Sequence, residues 1–148
     1  MILVKLTLSS NFKMPKPKTY IALDVGEKRI GVAVGDDSVR IAVPFETIDV
    51  DGGEVEAISE IMIKENAEIV VVGYPRNQSG EPTAQTQFVV DFADKLSDVA
   101  PNIVFQDESL TSVIAEKRLE SYNRPYQKSD IDAQAAAIIL QDYLEQLP

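Results

Sequence analysis

The stretch Tyr20-Ile21-Ala22-Leu23-Asp24-Val25-Gly26-Glu27-Lys28-Arg29-Ile30-Gly31-Val32-Ala33-Val34 decides how this chain folds. Tyr20–Val25 is a short apolar run that carries an acid near its end, which reads as a buried strand. Gly26–Arg29 is a tight polar turn, and Ile30–Val34 is a second strand that stops at Gly35-Asp36-Asp37-Ser38. A third strand follows at Ile41–Ile48, where Pro44 marks an irregular or edge position. Three strands joined by tight turns make an antiparallel meander. The first strand is expected at the centre of the sheet, because its run is apolar on both faces.

Beyond the meander the period changes. Val55, Ile58, Ile61 and Met62 recur at helical spacing, so a helix is expected over 53–65. Ala67–Gly73 is a buried strand and Tyr74–Pro82 a loop. From about Thr83, the residues Ala84, Phe88, Val89, Phe92, Ala93 and Leu96 mark an amphipathic helix. Asn102–Gln106 is the fifth strand. A helix to Ser121 follows, starting at Thr111 or Ser112, and Ser129 is read as the cap of a last helix. The fold class is therefore α/β. It is a five-stranded mixed sheet, an antiparallel three-strand meander plus parallel strands, with helices on both faces. Residues 1–17 read as a flexible N-terminal extension and 18–148 as the folded unit.

Composition narrows the chemistry. The chain has 148 residues, with no cysteine and no histidine. That removes a thiolate nucleophile, a thiolate metal site and the commonest general base and metal ligand. Catalysis must run on carboxylates, hydroxyls, Lys, Arg or a metal held by oxygen. No apolar run reaches the roughly 18–20 residues of a membrane span, and Met1–Leu8 lacks the flanks of a secretory signal. A cytoplasmic protein without membrane contact is expected. The net charge is −10, but residues 1–40 carry a net +3 and the remainder −13. A non-specific nucleic-acid binder is disfavoured, while a local positive rim is compatible with the numbers.

Three acids stand at element ends: Asp24 at the end of the first strand, Glu108 past the fifth, and Asp132 in the first turn of the last helix. In open α/β sheets, sites lie outside the carboxyl ends of strands. Carboxylates converging there can hold Mg²⁺ or Mn²⁺, and paired ions can drive phosphodiester hydrolysis without histidine. Each acid also has a plainer reading. Asp24 can simply end a strand, Glu108 can be a solvated turn acid, and Asp132 can complement the helix dipole. Asp130 reads as a cap-region charge. Lys28 and Arg29 at the first turn are candidate phosphate contacts. So are Arg76 and Asn77 in the loop Gly73–Gly80, whose backbone amides lie just before a helix. Arg118 and Arg124 flank the acids from another side. Tyr122, Tyr126 and Tyr143 can stack bases or pack within the domain.

Four ordered stretches resemble the YqgF (RuvX) family of the RNase H-like superfamily. They are Leu23–Val34, Val71–Gly80, Asp107–Ser112 and Ile131–Leu140, within a span from Thr19 to Leu144. The resemblance implies an RNase H-like fold and a metal-dependent nuclease. Its members are described as nucleases maturing the 5′ end of precursor 16S ribosomal RNA and as Holliday junction resolvases. It carries the catalytic and metal-holding roles to Asp24, Glu108 and Asp132, and a basic hairpin role to Lys28. The family has Arg after the Glu of its third motif, where this chain has Ser109, so Arg118 or Arg124 would have to substitute. The implied partner is nucleic acid, precursor rRNA or branched DNA, and the implied state a monomer or weak homodimer. A two-lobed ATP-binding kinase shares the Asp-x-Gly hairpin but needs twice the length. A non-catalytic binding module is the other alternative, and the presence of all three acids argues against it.

Overall fold

The computed structural model describes residues 16–108 and 111–148. The extension over 1–15 and Ser109 lie outside the described residues. Five strands and four helices follow one another as β1 (Thr19–Val25), β2 (Arg29–Asp36), β3 (Val43–Asp49), α1 (Glu54–Glu65), β4 (Ala67–Pro75), α2 (Ala84–Leu96), β5 (Ile103–Glu108), α3 (Thr111–Ser121) and α4 (Lys128–Glu145). They form one sheet in the order β3-β2-β1-β4-β5. The β1–β2 and β2–β3 pairs are antiparallel, and β1–β4 and β4–β5 are parallel. The expected mixed sheet with β1 at its centre is what forms.

The two faces of β1 are built differently. Ile21, Leu23 and Val25 point into a core of large side chains. Ile58, Ile61 and Met62 of α1 and Val89, Phe92 and Leu96 of α2 meet them there. Tyr20 and Ala22 point the other way, with Ala33 and Val71, against Ala136, Ala137, Ile139, Leu140 and Leu144 of α4. Alanine on both sheet and helix lets α4 lie close to the strands. Its other side packs on α3 through Ala115, Ala135 and Ile138. A helix covered on two sides is apolar nearly all round, and Ala133–Leu140 is buried throughout.

Several boundaries differ from expectation. β5 runs to Glu108 rather than Gln106, so Glu108 is the last residue of the strand, paired with Pro75, and not past its end. β3 starts at Val43 rather than Ile41, because Arg40 turns the chain at φ 60° and the Ala42 N–H donates to Gln141 Oε1 of α4 at 2.9 Å. β4 runs two residues past Gly73, since Tyr74 and Pro75 still pair with Asp107 and Glu108. α4 begins at Lys128 with Gln127 as its cap, so Ser129 is not the cap. The Gln127 N–H donates to Asp130 Oδ2 at 2.8 Å, which places the helix start earlier and confirms Asp130 as the cap-region charge. The register shift at Val32/Ala33 leaves Phe45 unpaired beside Pro44 on the edge strand. No helix of the described residues is long and apolar enough to cross a membrane.

Candidate active site

Strand alternation puts Asp24 on the same face as Tyr20 and Ala22, the face that α4 covers. Its antiparallel neighbour is Gly31. On the parallel side the pairing Leu23–Val72 leads next to Gly73. Asp24 is thus flanked on both adjoining strands by residues without side chains, and both absences are used. A Cβ at Gly31 would lie 1.9 Å from the backbone oxygen of Asp132. A Cβ at Gly73 would lie 2.2 Å from Glu108 Oε2. Gly31 therefore lets α4 bring Asp132 to the sheet, from its second turn rather than the expected first because the helix starts at Lys128, and Gly73 leaves the space that the Glu108 carboxyl fills.

The electrostatics agree with this convergence. Asp24 is pushed up to about 6, first by burial and then by the charge of Asp132. Glu108 is pushed up to about 8, first by burial and then by the charge of Asp24. Glu108 Oε2 is buried and has no hydrogen-bond partner. Asp132 is neutralised differently: Arg29 Nε donates to its Oδ2 at 2.6 Å. Among the described residues no three acids are arranged to hold one metal ion. The acids meet pairwise instead, with Asp132 turned to Arg29. The donor set still fits a hard divalent cation, because a buried oxygen without a proton donor and two mutually repelling carboxylates are what such an ion would neutralise.

The basic and polar candidates divide. Lys28 stands exposed at the β1–β2 turn, where its carbonyl accepts from the Val50 N–H at 2.9 Å. Arg29 is committed to Asp132 rather than standing free for phosphate. Arg76 pairs with Asp107 at 3.0 Å and lies over the Tyr74 ring at 4.9 Å. Asn77 closes its own loop, its Oδ1 accepting from the Ser79 and Glu81 N–H groups at 3.0 and 2.8 Å. The Asn77 and Gly80 amides are also used within the loop. The amides expected to cradle phosphate are thus spent on the turn itself. Arg118 on α3 acts on Asp142 of α4, and Arg124 lies over the Tyr122 ring at 5.3 Å. Sequence reasoning missed the Arg29–Asp132 pair, which joins positions 103 residues apart. Gly31 stands inside the second apolar run, and glycine within a strand is itself a sequence signal of close backbone approach.

A five-stranded mixed sheet in the order β3-β2-β1-β4-β5 with helices on both faces is an RNase H-like fold. The chain belongs to the RuvX family, whose model, described as Holliday junction resolvase, matches residues 18–146. A protein of Chloroflexus aurantiacus named "Putative pre-16S rRNA nuclease" is 44% identical over 131 residues, 84% of this chain and 85% of that protein. The protein of that name in Caldanaerobacter subterraneus is 43% identical over 131 residues, covering 84% of this chain and 94% of that one. Among solved structures, T. thermophilus RuvC in complex with a Holliday junction substrate aligns with a TM-score of 0.52 at 15% identity, over 86% of this chain and 93% of its own. Fowlpox virus resolvase with Holliday junction DNA gives 0.53 at 11% identity, over 86% and 97%. At those identities the likeness is one of fold.

Proposed function

We propose that residues 18–148 form a divalent-metal-dependent nuclease that hydrolyses phosphodiester bonds in the cytoplasm. We take its substrate to be the 5′ region of precursor 16S ribosomal RNA. The observation that carries the reading is Glu108 Oε2, buried without a partner in the space that Gly73 leaves, with Asp24 acting on its carboxyl. Asp24, Glu108 and Asp132 would hold the ion. Mg²⁺ or Mn²⁺, when bound, supplies Lewis acidity toward phosphate oxygen and lowers the pKa of water.

The chain's own residues prepare that chemistry. Asp24 is set by the rigid central strand. Glu108, raised to about 8, holds a proton at neutral pH that it would have to release in order to hold a cation. Arg29 orients Asp132 through its 2.6 Å bond. Lys28, exposed at the adjoining turn, would meet a phosphate. The RNA assignment follows the names of the relatives at 43–44% identity. The family description supports a second reading, resolution of a four-way DNA junction, which would require a dimer for paired cuts. A monomer or weak homodimer fits the first reading.

Cleavage of end-labelled precursor rRNA, single-stranded RNA, duplex DNA and a four-way junction tests this, with each metal and beside Asp24→Asn. RNA cleavage lost in Asp24→Asn supports the proposal. Symmetric junction cutting replaces it with the second reading. Cleavage that survives Asp24→Asn refutes the site.

A further inference from the structure

The row Asp24–Gly31–Thr47 crosses the sheet from β1 to the edge strand β3, a span of about 10 Å at the usual strand spacing. Beyond Thr47 a cleft of about 600 Å³ opens between β3 and the α3–α4 connection. Pro44 and Thr47 form one wall, Tyr122, Arg124 and Tyr126 the other, and Gln134 of α4 lines the cleft between them. The Thr47 hydroxyl donates to the Ser129 carbonyl at 2.5 Å, tying the edge strand to the first turn of α4, one turn before Asp132.

Gln134 is the feature that asks for a ligand. It is only 6% exposed, and among the described residues its amide makes no hydrogen bond. Neither of its amide atoms is sealed off without a partner, a position that among the described residues Glu108 Oε2 holds; the amide instead reaches the cleft it lines, which has room for a planar group. Tyr122, by contrast, is 47% exposed, with Arg124 over one face of its ring. Glu46 and Asp130 also line the cleft. Their charge repels phosphate and favours a group bearing N–H donors. Arg124, held over the Tyr122 ring, supplies the one cation of the lining, suited to a backbone phosphate next to such a group.

We propose that this cleft receives an unpaired base of the substrate strand, stacked against Tyr122 and Tyr126 with its edge hydrogen-bonded by Gln134. The inference deepens the nuclease reading, which places the scissile phosphate at Asp24, about two strand spacings away. Base–aromatic stacking tolerates any base, while the Gln134 amide offers both a donor and an acceptor to its edge. The cleft thus selects for a single-stranded or looped segment beside the cut.

The test measures binding of a short fluorescein-labelled single-stranded RNA by anisotropy in Ca²⁺, and its cleavage in Mg²⁺, for wild type, Tyr122→Ala and Gln134→Leu. Tyr122 is on the surface, and Gln134→Leu replaces an amide that makes no hydrogen bond within the described residues by an apolar group of similar size; circular dichroism verifies that both variants keep the fold. Each variant is expected to bind roughly tenfold more weakly and to raise KM with little change in kcat. An RNA carrying an abasic nucleotide at the position the cleft receives, found by scanning, should lose the same factor. Tyr122→Ala should then add nothing on that RNA, a coupling that a merely structural residue would not show. Wild-type affinity in both variants, or equal losses on intact and abasic RNA, overturns the proposal even if Asp24→Asn abolishes cleavage. Tyr122-dependent binding by a protein that cuts nothing would support the cleft and refute the nuclease reading.

Discussion

Replacing Glu108 by Gln separates what this residue does for the fold from what it does for catalysis. In the metal-free protein the carboxyl is raised from its ordinary 4.5 to about 8 by burial and by Asp24. The folded state therefore binds a proton more tightly than the unfolded chain. Folding stability from this group is present at low pH and is lost as pH rises from about 4.5 through about 8. At 1.36 kcal/mol for each tenfold change in proton affinity, the ionised form is disfavoured by roughly 4–5 kcal/mol as a ceiling. Relaxation and water entry leave an expected net effect of roughly 1–2 kcal/mol. Glu108→Gln keeps the shape and removes the charge. In EDTA at pH 9 its urea midpoint should exceed that of wild type by about 0.5–1 M, taking an m-value of about 2 kcal/mol/M. The gap should close near pH 5, where wild-type Glu108 is protonated, and cleavage should be lost at every pH. A variant no more stable than wild type at pH 9, or a gap that does not change with pH, would refute the argument that Glu108 is a strained, cation-seeking carboxyl.

Divalent-ion affinity should climb between pH 6 and 8.5, because Asp24 and Glu108 must release protons that folding holds at about 6 and about 8. Calorimetric titration with Mn²⁺ at both ends of that range checks it, and a flat profile contradicts it. Gly73→Ala places a methyl 2.2 Å from Glu108 Oε2 and 2.6 Å from Ile139 Cδ1, both ends of flexible side chains. It should destabilise by roughly 1–2 kcal/mol in urea melts and lower kcat by dislodging Glu108. Gly31→Ala meets backbone instead, at 1.9 Å from the Asp132 oxygen. It should destabilise by about 3 kcal/mol or more, so equal melting of the two variants would show that α4 does not pack as described.

Much of this protein is determined locally. The apolar run Tyr20–Val25, the turn at Gly26 and the second run at Ile30–Val34 specify a central hairpin, since each run can be buried only inside a sheet. The helical spacing in α1 and α2 specifies which face they cover, and three acids at element ends are legible as candidates because each interrupts or terminates an apolar pattern. Tertiary structure decided the rest. Arg29 reads as a free basic turn residue until α4 folds back and brings Asp132 to it. The loop at Asn77 reads as a phosphate cradle until its amides are seen closing on the loop itself. Asp130 is already legible as a cap-region charge, but that its Oδ2 accepts from the Gln127 N–H while Asp132 pairs with Arg29 is decided only by the start of α4 at Lys128 and its packing on β2. Glycines 31 and 73 carry no chemistry of their own; their missing side chains acquire meaning only when a helix and a carboxyl occupy the space. Periodicity reports which face of an element is apolar, whereas a site depends on distances between elements, and those are set by packing across the sheet.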